Sequence, residues 1–552
     1  MLASVLSATL HGLEGRVVRV EVDVAPGMPG FTIVGLPDAA LSESRERVRG
    51  AIRNSGLAFP PRRITVNLAP ADLPKSGASL DLGIAVAVLL GSEQLRGSGR
   101  PALVGELSLG GELRRVPGIL PMAVALARRG VRRVVVPAEG EAEARLVAGI
   151  DVVPAATLID VVELLRVRRG RRVARLPDRV DLVQPVPEPD PAAHRRAIGS
   201  ASAGEAGGGG DTLTGATGGQ VGRAADRGSS EAPDLAEVRG QLEARRAIEI
   251  ALAGGHGLLL VGPPGSGKTL LARTIPGLLP PLADTEAFEV TMIHSVAGVG
   301  RVDELIRRRP FRAPHHTISY AGMVGGGPRL SPGEVTLAHH GVLFLDELPE
   351  FDRGVLEALR QPLEEGVVAI TRVGRAGLLP ARFQLVAAMN PCPCGMAGTD
   401  PGRCRCKEVV VDRYTSRISG PLRDRIDLWV SMPRVPPASL VRGSESESSA
   451  AVAQRIVTAR ARQMRRVGRA LNACVDGRLL RIASRLSPSA ERRLVELADL
   501  ERLSARGTTR LLRVARTIAD LGGEETVGRP HLDEAARFRS PSRVLGVRQV
   551  AV

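Results

Sequence analysis

The sequence predicts an α/β fold for its central block, and three observations predict it. Apolar runs at 257–261, 341–345 and 384–388 have the length and composition of buried strands. Helix-forming stretches separate them, the alternation expected of a doubly wound sheet. A glycine-rich turn leads out of the first run straight into a helical sequence.

At 552 residues the chain is too long for one core and divides into domains. Residues 1–180 read as a mixed α+β domain. Val17–Val24 alternates apolar and charged residues like a half-buried strand, Arg63–Leu68 is a second strand, and Arg132–Val136 is a buried one. Leu80–Leu90 is apolar and helical in character. Residues 181–233 contain QPVPEPDPAAHRR and GSASAGEAGGGG, a composition that buries too little surface to offset chain entropy, so a disordered linker is expected. The α/β domain follows over 234–440, and a small arginine-rich helical domain over 450–545. No internal repeat is seen.

Hydrophobic residues make up 43% of the chain and mean hydropathy is +0.04. No apolar run approaches the roughly 18 residues of a membrane span, and the opening MLASVLSATLHGLEG lacks the features of a secretory signal. Four of the five cysteines fall between 392 and 406, which suits a reducing compartment better than a disulfide framework. A cytoplasmic location without a membrane partner is expected. Net charge is +16, which invites a nucleic-acid partner. Yet Lys75, Lys268 and Lys407 are the only lysines, so nucleotide-composition bias explains the charge equally well. With aromatics at 2%, base-stacking platforms are excluded, and DNA contacts would run through arginine and backbone amides to phosphate.

The run GLLLVGPPGSGKTLLA is the most informative stretch. A buried strand enters Gly262, Pro263, Pro264, Gly265, Ser266, Gly267, Lys268 and Thr269, and a helix follows, which is a Walker A loop in its required context. Its glycines let backbone amides close around phosphates. Lys268 would reach the β- and γ-phosphates of ATP, and the Thr269 hydroxyl would hold Mg²⁺. A lysine in a chain that elsewhere uses arginine marks a pocket for a compact ammonium.

The second run, GVLFLDELPEF, delivers Asp346 and Glu347 at a strand's C-terminal end, where ligands bind in open α/β sheets. Asp346 would hold Mg²⁺ through water, and Glu347 would polarise the attacking water. The third run ends at Asn390, which either positions that water as a sensor or is a turn former before Pro391. Arg423 and Arg425 precede a further apolar strand. An arginine there either projects into a neighbouring subunit's γ-phosphate or pairs with Asp424 or Asp427. Arg506 and Arg510 open an amphipathic helix and are candidates for a second sensor, or solvated surface residues.

Taken together, the Walker A loop, LDELPEF, RPFRAPHHTISYAGMVGGG, AAMNPCPCG and RISGPLRDRIDL resemble the magnesium-chelatase-like AAA+ ATPase family, in its ComM/YifB branch. The resemblance covers nearly the whole chain, including FTIVGLPDAALSESRERVRGAI and NLAPADLPKSGASLDLGIAVAVL. It implies an AAA+ P-loop core with a helical lid, a homo-hexameric ring, and ATP-driven movement on branched DNA of the branch-migration helicase type used in natural transformation. By position it makes Arg425 the finger and Arg506 the second sensor. It places a helix-2 insert within Val296–Gly333 and a hairpin within Glu365–Leu379, both facing the pore. Arg372 and Arg375 of that hairpin are then candidate DNA phosphate contacts.

The N-terminal block resembles a Lon-type (S5) protease domain, with Ser79 in the nucleophile's place within Lys75–Ser79. Leu120 falls where that pattern needs a lysine, and no lysine lies between Lys75 and Lys268. Without a base the serine is an ordinary hydroxyl, so a catalytically inactive domain is expected.

Cys392, Cys394, Cys404 and Cys406 form two C-x-C pairs on one short loop. Four thiolates there could hold a tetrahedral, structural Zn²⁺. The spacing is not the common C-x₂-C, and a set of free thiols is the alternative. Rival readings are a chelatase-type or protein-remodelling motor, an ATP-dependent protease, and a scaffold.

Overall fold

The computed structural model describes residues 1–166, 232–435 and 446–539, apart from short breaks at 72, 74, 76, 97–100, 328–329, 373–374, 398–402, 469 and 476. Most of the expected linker, 181–233, lies outside the described residues. Mixed α/β architecture runs through the first two blocks, and helices make up the third.

Alternation of apolar and polar residues produces the first sheet. Strands β1 (Leu2–His11), β2 (Glu14–Ala25), β3 (Gly30–Val34) and β4 (Arg63–Ala69) pair in the order β1-β2-β4-β3. Val18, Val20, Val22 and Val24 of β2 are buried while the intervening residues face outward. The Asp81–Gly91 helix covers that inner face and is buried at every position, which is why it carries no polar stripe. Four short strands, β5 (Ala102–Leu103), β6 (Glu106–Leu107), β7 (Leu113–Arg114) and β8 (Arg133–Pro137), and then β9 (Asp151–Ala155), complete the block. They form a three-stranded β5-β8-β9 sheet and a β6-β7 ladder.

The central block is built on a five-stranded parallel sheet. Its strands are β10 (Leu258–Val261), β11 (Phe311–Arg312), β14 (Val342–Leu345), β17 (Gln384–Met389) and β18 (Leu428–Ser431), in the order β11-β14-β17-β10-β18. Between them lie two antiparallel pairs, β12 (Gly325–Gly326) with β13 (Ser331–Pro332), and β15 (Val367–Arg372) with β16 (Arg375–Pro380). The sheet is apolar on both faces, as parallel sheets are. Leu258, Leu260, Phe344, Val386 and Val430 face one core, and Leu259, Val261, Leu345, Ala387 and Trp429 face the other. The edge strand β11 falls inside the span expected for the helix-2 insert, so the excursion from the sheet begins only after Arg312.

The C-terminal helices are not a detached lid. Ser449–Val467, Pro488–Leu500, Ala505–Gly522 and Arg529–Arg537 share one core with the Leu242–Gly254 helix and the first face of the sheet. Each fully buried Leu, Ile or Val in that core contributes about 1.5–3 kcal/mol. Beneath the Ala505–Gly522 helix, Asp520 accepts from Arg466 at 2.6 Å, Arg516 at 3.0 Å and Asn472 at 2.9 Å. Arg516 is wholly buried.

The first block docks on the central one through the Asp284–Ala297 helix. Buried Glu143 accepts from Arg115 at 2.8 Å and from the Leu120 amide at 3.0 Å, and the Ser295 hydroxyl also donates to it. The Gly118 amide donates to the Ser295 carbonyl at 2.9 Å, and Arg115 to the Gly300 carbonyl at 3.0 Å. Leu120, the position where a Lon-type pattern needs lysine, thus lies in this joint. Ser79 is buried, with its hydroxyl donating to the Ala8 carbonyl at 3.0 Å. Among the described residues no helix is long and apolar enough to cross a membrane.

In the middle of the same helix, Glu289 accepts from His340 at 2.7 Å and from His339 at 3.1 Å. These hydrogen bonds hold the Glu289 carboxyl well below its usual range, and burial holds His339 below its ordinary 6.5. A histidine depressed in the folded state takes up its proton more readily when unfolded, and so does a depressed carboxylate. Both groups therefore contribute stability at neutral pH that is lost on acidification, His339 first as pH falls below about 6.5 and Glu289 below the carboxylate range. Chemical denaturation as a function of pH should show this decline, and His339→Phe should flatten its upper part. Asp520→Ala strands two arginines in the helical core and should cost about 3–5 kcal/mol, read as a lowered unfolding midpoint of that block.

Candidate nucleotide site

Parallel register decides which residues meet. Val261 of β10 lies beside Met389 of β17, and Leu345 of β14 beside Ala387. The loop after β10, the Asp346–Glu347 pair after β14 and Asn390 after β17 therefore emerge side by side at one edge. The loop itself needs its glycines. Gly267 opens the Lys268–Arg273 helix at φ +91°, a conformation L side chains rarely adopt. Gly262 passes so close to the Met432 carbonyl that a Cβ would approach it to 2.3 Å.

Lys268 is buried, and its ammonium donates to the carbonyls of Gly262 at 2.6 Å and Pro263 at 3.0 Å, and to Asn390 Oδ1 at 3.2 Å. Burial lowers its pKa, while Asp346 and Glu347 act in the opposite sense. Thr269 Oγ1 donates to Asp346 Oδ2 at 2.6 Å, and Asp346 Oδ1 accepts from the Glu347 amide at 2.9 Å. A hydroxyl and a carboxylate so disposed suit a hydrated divalent cation. The amides of Lys268 and Thr269 open a helix and have no carbonyl a turn earlier to bond. Ser266 Oγ is buried without a partner. These are free donors in a cradle with a cation, and the residues present fit Mg-ATP.

Two neighbours were not singled out from the sequence. His316 Nδ1 lies 3.2 Å from Glu347 Oε2, and its ring meets Phe351 edge-on at 6.4 Å. Glu347 is itself held at φ +54°, a backbone state uncommon for a non-glycine residue. Tyr414 is buried under the site, hydrogen-bonded by the Asn390 backbone, and burial followed by the charge of Glu350 pushes its phenol up. The only signal for His316 was its place in the distinctive run RPFRAPHHT. Tyr414 gave none.

The arginines sort differently. Arg423 donates to the Ile418 carbonyl at 3.0 Å and to that of Thr415 at 2.5 Å, a local brace. Arg425 pairs with Glu364, not with the adjacent aspartates. Burial lowers its pKa, followed by the charges of Arg510, Arg506 and Arg360. Arg510 sits near Asp424 at 3.7 Å and Asp427 at 3.9 Å, and Arg506 is exposed at the start of its helix. Arg372 and Arg375 are register partners at the tip of the β15–β16 hairpin, and their side chains lie outside the described residues. The sulfurs of Cys392, Cys394, Cys404 and Cys406 all lie within 4.8 Å of one another.

Because His316 touches only Glu347 among the catalytic candidates, its loss should separate turnover from binding. An ion pair between side chains this exposed contributes about 1 kcal/mol or less. His316→Ala should therefore lower kcat for ATP hydrolysis by about fivefold at most and leave nucleotide affinity unchanged, measured by steady-state kinetics beside a binding titration.

Comparison with known proteins gives the family. The family described as magnesium chelatase, subunit ChlI, matches residues 234–440, its companion description matches 20–140, and its C-terminal part matches 446–539. The chain is 43% identical to an uncharacterized protein of Mycobacterium tuberculosis, with 98% of each chain covered. It is 41% identical to the uncharacterized protein YifB of Salmonella typhimurium, covering 99% of this chain and 98% of that one. It is 40% identical to the competence protein ComM of Haemophilus influenzae, again over 99% and 98%. With the domain matches in chain order and relatives aligned end to end, this chain belongs to the magnesium-chelatase ChlI family of AAA+-type proteins, alongside YifB and ComM.

Proposed function

We propose that this chain is an ATP hydrolase that assembles into a ring and acts on DNA, as a branch-migration helicase of the recombination type. The observation that carries the hydrolase part is the convergence of Lys268, Thr269, Asp346, Glu347 and Asn390 from three adjacent strand ends. In this reading the loop amides and Lys268 bind the phosphates, and Thr269 and Asp346 hold Mg²⁺, which neutralises charge on the transferred phosphoryl group. Glu347, oriented by His316, accepts a proton from the attacking water. Asn390 fixes the Lys268 ammonium and aligns that water.

The ring rests on the arginines. The charges acting on Lys268 are Asp346 and Glu347, whereas those acting on Arg425 include Arg510, Arg506 and Arg360. Glu364, Asp424 and Asp427 lie among these arginines, and a neighbouring subunit's nucleotide would compete with those carboxylates for them. Arg425 as finger and Arg506 as second sensor then both act across a subunit boundary in a homo-hexamer. DNA as substrate is supported by the net charge of +16, by the Arg372–Arg375 hairpin tip and by likeness to a competence protein. The N-terminal domain, read as an inactive Lon-type fold, serves in assembly. Its Ser79 hydroxyl is occupied by a main-chain carbonyl, which supports that reading. A chelatase-type motor is the second reading, favoured by the description of the matching family.

Steady-state ATP hydrolysis at low salt, with and without a Holliday junction or forked duplex, tests the proposal. Branched DNA should stimulate hydrolysis, and Lys268→Ala and Glu347→Gln should each abolish it, by roughly a hundredfold or more. Hydrolysis that responds to no DNA would overturn the helicase reading and favour the chelatase-type or protein-remodelling one.

A further inference from the structure

The four clustered cysteines take no part in the chemistry above, yet their geometry is specific. Cys392 Sγ lies 3.3 Å from Cys394 Sγ and 3.8 Å from Cys404 Sγ, and Cys394 Sγ lies 3.7 Å from Cys404 Sγ. Cys406 joins them, with all separations inside 4.8 Å. These distances are too long for a disulfide, whose sulfurs sit about 2.05 Å apart. A tetrahedral ion with zinc–sulfur bonds of about 2.3 Å places its sulfurs about 3.8 Å apart, close to the 3.7 and 3.8 Å separations of Cys404 from Cys394 and Cys392. Four neutral thiols gain little from meeting in this way.

The surroundings suit thiolates. The Ala397 amide donates to Cys392 Sγ at 3.3 Å, the kind of hydrogen bond that favours an anionic sulfur. Arg403, Arg405 and Lys407 alternate with the last two cysteines in sequence, and their charge offsets the net negative charge of four thiolates around a divalent ion. Softness selects the metal: an all-thiolate tetrahedral set suits zinc and excludes magnesium or calcium.

We propose that Cys392, Cys394, Cys404 and Cys406 bind one structural Zn²⁺, and that this knuckle braces the nucleotide site. Cys392 is fully buried and follows Asn390 by two residues. Gly395, at φ +79°, lies so close to the Walker A loop that a Cβ would meet Pro264 Cδ at 2.5 Å. The ion would thereby fix the turn in which Gly395 packs against Pro264 of the loop carrying Lys268, and close a chain excursion that has no regular secondary structure between Asn390 and Lys407 among its described residues. The bracing rests on the ATP-site reading; the metal site does not.

Metal analysis of the full-length chain, purified under reducing conditions with zinc supplied, should find close to one zinc per chain. Cys404→Ser and Cys406→Ser should lose it. Exchange into cobalt should give the thiolate charge-transfer and tetrahedral ligand-field bands of an S₄ site, a readout that needs no variant to fold. Four freely titrating thiols without bound metal, or iron with acid-labile sulfide in its place, would overturn the zinc site. Zinc withdrawal should also weaken binding of a non-hydrolysable ATP analogue at least several-fold. Unchanged affinity in folded, zinc-free protein would overturn the bracing while the metal count stands by itself.

Discussion

Burial of the parallel sheet on both faces is the constraint from which the rest follows. Because alternate residues of β10, β14 and β17 enter two separate cores, a slip of one residue in any strand would turn its side chains to the wrong core. Register is therefore strongly specified, and with it the alignment of the three strand ends. Lys268, Asp346 and Asn390 meet because Val261 is beside Met389 and Leu345 beside Ala387. The hydrophobic effect, which is non-directional, becomes through this register the source of a polar site built to tenths of an ångström.

The same two-sided burial explains why the C-terminal helices are continuous with the sheet. They supply the apolar surface that one face requires, and Ile456, Ala515 and Leu532 share a core with Leu258 and Val386. Arg506 and Arg510 are thereby carried on the domain that closes over the sheet, close to Arg425 at its base. The buried Asp520 network gives the helices a second, directional constraint, since Asp520 is the carboxylate that balances the charge of the wholly buried Arg516 and the half-buried Arg466. Apolar packing sets where the helices lie, and charge sets how they are turned.

A different logic joins the first block to the second. The contact is centred on one buried carboxylate, Glu143, shared by Arg115, the Leu120 amide and Ser295. Leu13 of the first block also packs against the second core of the sheet, so the joint combines a directional polar centre with apolar contact. A domain whose own serine is capped by a main-chain carbonyl is thus held against the central block's helix that also carries Glu289 and its histidines.

Much of this was legible in the residue order. Strands β2, β4, β8, β10, β14 and β17 and the buried Asp81–Gly91 helix follow from local periodicity, which burial on one or two faces imposes directly. The loop between β10 and the Lys268–Arg273 helix was legible as a strand–loop–helix turn because its glycines serve conformations that L side chains rarely adopt. Other features had no local signal. The two-residue strand β11 is too short for any periodicity. His316 reaches Glu347, and Tyr414 lies beneath Asn390, only because distant segments fold to the same strand ends. The pairing of Arg425 with Glu364 in place of its neighbouring aspartates has the same cause. Sequence by itself determined the elements and the chemistry of the loop, because those depend on neighbours along the chain. Tertiary structure alone decided which side chains from separate elements meet, because that depends on register and packing between segments far apart in sequence.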